Sequence, residues 1–209
     1  MSDRCVTTSV AGFIQQLAVS CVAQGYYFYV TGKIPPHKDA ARTDQKLISR
    51  YGIGVSKWVR CRRKRSGLAN VRFLRHGPFF VIIATHGEHP FFTAEASQIH
   101  DIRRKPIRFA GYSVGCGKAR REGKLHASVR IDREDFSRLK QSFESLAVHR
   151  SSEFIWQALH SLPYEPYAPV KNQLRIILRA VNRRRNAAGL EPVAWDAIRR
   201  RRVPVKPFG

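Results

Sequence analysis

The sequence predicts an α+β fold, an antiparallel sheet of about five strands with helices gathered at the C-terminal end. Three observations predict it. Apolar residues recur at helical spacing near the N-terminus. Short β-branched and aromatic runs separated by glycine and proline follow. The last eighty residues then return to helical periodicity.

The elements follow in order. Val10, Phe13, Ile14, Leu17, Ala18, Cys21 and Val22 share one helical face, Thr7-Thr8-Ser9 offers an N-cap, and Gly25 ends the helix. Tyr26 to Ile34 is aromatic and β-branched and stops at Pro35-Pro36, as a strand would. A short helix is predicted over Thr43 to Tyr51, ended by Gly52, and a second from Val55 to about Arg65. Ala69–Arg75 and Phe79–Thr85 form a hairpin around His76-Gly77-Pro78. Further strands are predicted at Ile107–Val114 and Leu125–Ile131, the latter alternating apolar and polar residues. Between them lies a basic, glycine-containing loop. Helices are expected near Arg133–Val148, Ser152–Leu162 and Val170–Ala187, the first with Asp132, Glu134 and Asp135 at its N-terminus, where the helix dipole favours negative charge. Residues 1–198 read as one domain, with Ile131 the place where a division would fall, and residues 199–209 as a basic tail.

The 209 residues carry 38 Lys and Arg against 15 Asp and Glu, a net charge of +23. A hydrophobic fraction of 43% supplies a real core, so the chain is not a disordered basic tail. A compact fold with this charge repels itself, and a polyanionic partner offsets that cost. Of the cations 27 are Arg, the residue suited to bidentate phosphate contacts. Nucleic acid is therefore the expected partner, within a nucleoprotein complex where other proteins bind too.

Charge is also segregated. Gln45 to Gly87 holds ten basic residues and no acid, and Pro166 to Leu190 holds six and no acid. The expected phosphate contacts in the first stretch are Lys57, Arg60, Arg62, Arg63, Lys64, Arg65, Arg72 and Arg75. The glycine-containing loop adds Lys118, Arg120, Arg121 and Lys124. Lys171, Arg175, Arg179 and Arg183 step by four along one face of the last long helix, beside its apolar stripe.

Leu47, Ile48 and Tyr51, the turn at Gly52, and a second helix opening with Val55, Trp58 and Val59 resemble a helix-turn-helix. The hairpin at 69–85 stands where a winged helix carries its wing. The resemblance, over 43–85, implies double-stranded DNA as the ligand and Val55–Arg65 as the reading helix, with Val55, Trp58 and Val59 buried. An RNA-binding or ribonucleoprotein subunit is the first alternative.

An alternative of a different class is a metal-dependent nuclease or strand-nicking enzyme using His86, Glu88 and His89 with His126, since histidine and carboxylate at strand ends can hold a metal. The spacing matches no H-E-x-x-H pattern, so the leading expectation is a non-enzymatic binder without metal or cofactor. Tyr164 and Tyr167 lie beside a basic helix, but no neighbour in the sequence activates them as nucleophiles. Tyr26, Tyr27, Phe28 and Tyr29 invite base stacking, although a strand must send them to both faces, two of them into the core. Cys5, Cys21, Cys61 and Cys116 form no C-x-x-C pair. The apolar run from Val10 to Ala23 is interrupted by Gln15-Gln16 and falls short of the ~20 residues of a membrane span. Arg4 faces Asp3, which makes a poor secretory n-region. A cytoplasmic protein without a membrane partner is expected.

Overall fold

The computed structural model describes residues 5–118, 123, 125–202 and 205–208. The chain divides into two compact units: Met1–Ile107 with Val114–Ser128 and Val205–Gly209, and Arg108–Ser113 with Val129–Pro204. The fold is α+β, with two antiparallel sheets of four and three strands rather than one of about five.

In the first unit, helix α1 (Val10–Gln15) continues through a π segment, Gln16–Cys21, and a 3₁₀ turn, Val22–Gln24. Strand β1 (Tyr26–Lys33) follows, then α2 (Ala40–Arg50), α3 (Lys57–Arg65), β2 (Val71–His76), β3 (Phe79–Thr85), α4 (Pro90–Ala94) and β4 (His100–Asp101). The sheet order is β2-β3-β1-β4. The inner strand β3 buries Val81–Ala84 without a break, as a strand covered on both faces does. Val30, Tyr51, Val71, Phe73, Ile82, Ala84 and Phe91 form one core cluster. Arg72, one residue out of phase with Val71 and Phe73, donates instead to the Ser20 carbonyl at 2.6 Å. The free edge of β2 is occupied by the N-terminal segment, with Thr7 and Cys5 exchanging hydrogen bonds with Arg75 at 2.8 Å each.

The second sheet runs β5 (Ile107–Phe109), β6 (Tyr112–Lys118) and β7 (Leu125–Ile131) in that order. The strand predicted over Ile107–Val114 is thus two strands, folded at Ala110 (φ 47°) and Gly111 (φ 78°). Two consecutive positive φ angles are what a tight hairpin turn requires, and a nonglycine residue at the first of them hides the signal.

Helices α5 (Arg133–Leu146), α6 (Ser152–His160) and α7 (Ala168–Ala187) complete the second unit. Asp132 caps α5 by accepting from Glu134 N, and Glu134 and Asp135 stand in its first turn as expected. The stripe of α7 is buried at Val170, Leu174, Ile177, Leu178 and Val181. Gln173 receives Ile131 N at 2.8 Å and donates to Ile131 O at 3.0 Å, so one side-chain amide satisfies a strand residue. Arg185 is buried and donates to the carbonyls of Glu191, Ala147 and Arg150. Its charge is held by peptide dipoles, and among the described residues no acid pairs with it.

Several expectations are corrected. Helix α2 starts at Ala40, not Thr43, because Asp39 caps it by accepting from Ala41 N and Arg42 N. Helix α3 buries no side chain: Trp58 is 84% exposed, and Val55 and Val59 are only partly covered. The buried face expected of a recognition helix is therefore not present on α3, and the winged helix-turn-helix expected at 43–85 is not confirmed. The hairpin β2–β3 belongs to the four-stranded sheet. Helix α4 and strand β4 were not expected; both are short, and β4 has two residues only.

The charged group most deeply committed in the first unit is Asp44. Its carboxylate accepts from Arg75 Nε at 2.9 Å at both oxygens, with side-chain exposures of 5% and 13%. Burial raises the Asp44 carboxyl above its ordinary value, with the hydrogen bond and charge of Arg75 pulling it back. Removing one partner of such a pair strands the other. Asp44→Ala is expected to lower unfolding free energy by about 3–5 kcal/mol, measured by urea denaturation. A change under about 1 kcal/mol would show that Arg75 is hydrated in the native state.

Candidate nucleic-acid interface

Helix α3 is held at its ends instead of by a face. Ser56 accepts from Val59 N at 3.3 Å at the start. At the other end Gly67, at φ 74°, closes a Schellman motif in which Leu68 N donates to Arg63 O at 2.9 Å and Gly67 N to Lys64 O at 3.4 Å. Between the ends, Asn70 Nδ2 donates to Arg60 O at 3.0 Å. Arg62, Arg63, Lys64 and Arg65 fill the last turn, where the dipole favours cations.

Lys57, Arg60, Cys61 and Lys64, spaced i, i+3, i+4 and i+7, line one groove of about 460 Å³. Its other wall includes Ser20, Tyr26, Asn70, Arg72 and Thr85. Arg60 is fixed by a 2.5 Å hydrogen bond to Val55 O. Arg72 is fixed by Ser20 O and lies over the Tyr26 ring at 5.1 Å. The groove therefore joins two positioned guanidinium groups to two exposed lysines. Among the described residues no ion pair involves α3, and the Asn70 Oδ1 atom is buried without a hydrogen-bond partner.

Arg75, expected among the phosphate contacts, is instead engaged with Asp44 and with the Gly77 carbonyl at 2.7 Å. A guanidinium bound on both sides is not open to phosphate. Of the loop cations, Lys118 ends β6, and Arg120, Arg121 and Lys124 lie outside the described residues.

In the second unit, Arg175, Arg179 and Arg183 are exposed and Lys171 is half-buried, on the side of α7 away from its buried stripe. Among the described residues none of the four joins an ion pair, whereas Arg184 meets Glu144. Lys171 and Arg175 also line a second groove, of about 470 Å³, with Trp195, Ile198, Arg199 and Arg200. Arg199 is committed to the carbonyls of Leu162 and Tyr164, at 3.0 and 2.6 Å. Trp195 is 53% exposed and was not singled out from the sequence, where it stands in an irregular segment without periodicity. The C-terminal run is better tied than a loose basic tail: Arg202 stacks over Tyr167 at 4.7 Å, and in the first unit Thr8 N donates to Pro207 O at 3.1 Å.

The alternative built on histidines is not assembled. Among the described residues no three His, Cys, Asp or Glu side chains are grouped as metal ligands. His86 packs its ring edge on Phe28, and the Glu88 backbone pairs with Gly67 and Ala69. His89 Nδ1 caps α4 by accepting from Phe91 N, while His126 lies beside Gly117. Burial pushes the Tyr164 and Tyr167 hydroxyls up, the reverse of nucleophile activation. Tyr26 and Tyr29 are the two buried aromatics of β1, because a bulge between Tyr26 and Phe28 resets the alternation. Tyr27 and Phe28 are covered by Arg103.

No helix among the described residues is long and apolar enough to cross a membrane. No known protein family, curated protein or solved structure matches the chain.

Burial, then the charge of Arg63, holds His89 below its ordinary pKa, against a hydrogen bond with the Tyr51 backbone. The folded chain therefore takes up this proton less readily than the unfolded one. Stability from the neutral cap is complete above the ordinary histidine value of about 6.5 and falls as pH drops below it, until folded His89 is itself protonated. His89→Asn keeps an acceptor that does not titrate. Its denaturation midpoint is expected to decline less than wild type between pH 7 and pH 5. Equal declines would show that the cap is indifferent to protonation.

Proposed function

We propose that this protein binds nucleic acid through its phosphate backbone, with the α3 groove as the principal contact in the first unit and the exposed row on α7 as the contact in the second. The observation that carries this reading is the convergence of Lys57, Arg60, Lys64 and Arg72 on one groove, while α3 has no ion pair among the described residues. Four converging cations without a counter-ion destabilise the folded chain, and a phosphate chain relieves that repulsion and releases its own condensed counterions on binding. Arg60 and Arg72 are already positioned, so less side-chain freedom is lost on binding than with free arginines. Arg62, Arg63 and Arg65 add charge on the same helix outside the groove lining, and Arg175, Arg179 and Arg183 can track a second stretch of backbone. Binding is the reading; no reaction is assigned. The preference for duplex DNA rests on the helix-turn-helix resemblance, which is not confirmed.

Lys57→Gln with Lys64→Gln is expected to weaken binding of a mixed-sequence oligonucleotide about tenfold at 100 mM salt and to reduce the log–log salt slope by about 1.5. Lys33→Gln with Lys38→Gln removes the same charge from outside the groove and is expected to cost far less. Equal losses in fluorescence-anisotropy titrations would mean that net charge, and not the groove, drives association. A flat salt dependence in the wild type would overturn the polyanion reading.

A further inference from the structure

We infer that the nucleic acid taken by this protein is unpaired, with bases stacked on Trp58 in the first unit and on Trp195 in the second; this rests on the phosphate-binding reading above and names its ligand class. The chain has three tryptophans. Trp156 is accounted for by the fold: its Nε1 donates to Asp196 at 2.7 Å and its ring stacks on His160 at 4.6 Å between centroids. The other two have no such role among the described residues. Trp58 stands 84% exposed on α3, the most exposed of the large hydrophobic side chains described, on a helix that buries nothing. Trp195 is 53% exposed, in the groove that Lys171, Arg175 and Arg200 line.

An indole in water gains nothing for stability, so its placement beside cations calls for a ligand with both negative charge and a flat apolar face. A nucleotide has both. In a duplex the base faces are stacked on one another, and a side chain meets only groove edges and backbone. In an unpaired strand every base offers a face. The helical spacing fits this ligand. Arg62 and Arg65 lie four and seven residues after Trp58, on the same side of α3, so a base on the indole leaves its phosphates beside guanidinium groups. The Trp195 groove repeats the pairing in the second unit with different elements, Lys171 and Arg175 from α7 and Arg200 from the segment after the 3₁₀ turn Trp195–Ala197.

The test uses the full chain and labelled 20-nucleotide strands of mixed sequence, as single-stranded DNA, single-stranded RNA, duplex DNA and duplex RNA, each at three salt concentrations. A single strand, in either sugar chemistry, is expected to bind at least tenfold more tightly than its duplex and to quench tryptophan fluorescence. The two sugar arms identify which strand it is. An abasic strand of the same phosphate number is expected to bind about tenfold more weakly than the complete one. Trp58→Ala and Trp195→Ala are each expected to weaken single-strand binding about tenfold, with the salt slope and duplex binding unchanged. Trp58→Phe and Trp195→Phe, which keep an aromatic face, should retain most of the affinity. Because Trp58 is exposed, its replacement tests the inference even if the Trp195 variants fold poorly. Equal or tighter duplex binding, or no difference between abasic and complete strands, would overturn the inference and leave phosphate binding intact. Salt-independent or absent binding of all four ligands would overturn the parent reading as well.

Discussion

Fifteen carboxylates cannot neutralise 38 cations, and where those carboxylates sit decides which cations are free. Asp44 is used inside the first unit on Arg75. Asp101 holds Arg103, Asp132 and Glu134 hold Arg108, and Asp135 holds Arg138. Glu144 meets Lys140 and Arg184, and Glu165 meets Arg199. Asp39 and Asp132 also cap helices. Each of these placements serves the fold. The cations that no described carboxylate reaches include all those of α3 and the row on α7, so the proposed binding surface is what remains once the structure has engaged its acids.

The arginines divide the same way, and the division is geometric. Arg183, Arg184 and Arg185 are consecutive, yet the helix turns each about 100° from the last. Arg183 faces solvent, Arg184 reaches Glu144, and Arg185 is buried against three carbonyls. Five donors in a rigid fork allow a guanidinium to be satisfied by peptide oxygens alone, which an ammonium with three donors does less well. An arginine-rich composition therefore serves interior bracing as well as surface charge.

That double use limits what the sequence discloses. The four-residue step of Lys171, Arg175, Arg179 and Arg183 beside a clear apolar stripe was readable, because the helical period sorts exposed from buried positions. Arg75 was not, since its partner Asp44 lies 31 residues away on α2 and only the folded chain brings them together. The hairpin at 76–79 was legible from Gly77-Pro78; the one at Ala110-Gly111 was hidden by an alanine in a conformation that usually selects glycine or asparagine. For α3, the spacing of Val55, Trp58 and Val59 imitates a buried stripe. Two features of the sequence depart from the helix-turn-helix pattern: Ile48 where the motif has a small residue, and a basic cluster late in the second helix, whereas base-reading residues lie early.

A helix with no buried face should not persist by packing, since most helix stability in proteins comes from an apolar stripe on the core. Helix α3 is nine residues long, too short to hold itself in water. What holds it is backbone satisfaction: the Ser56 cap, the Asn70 amide on Arg60 O, and the Schellman closure whose Leu68 then bridges to Glu88. Gly87 makes that bridge feasible. A Cβ there would stand 2.5 Å from Gly67 O, and its φ of 126° suits glycine. Support from the ends and from one amide leaves most of the helical surface uncommitted, which is the condition under which six cations and an exposed indole can share nine residues. The same arrangement accounts for why the cationic helix was found by charge and misjudged by hydrophobicity. None of its apolar residues is buried in the core, and its stability resides in hydrogen bonds at its two ends and from the Asn70 amide.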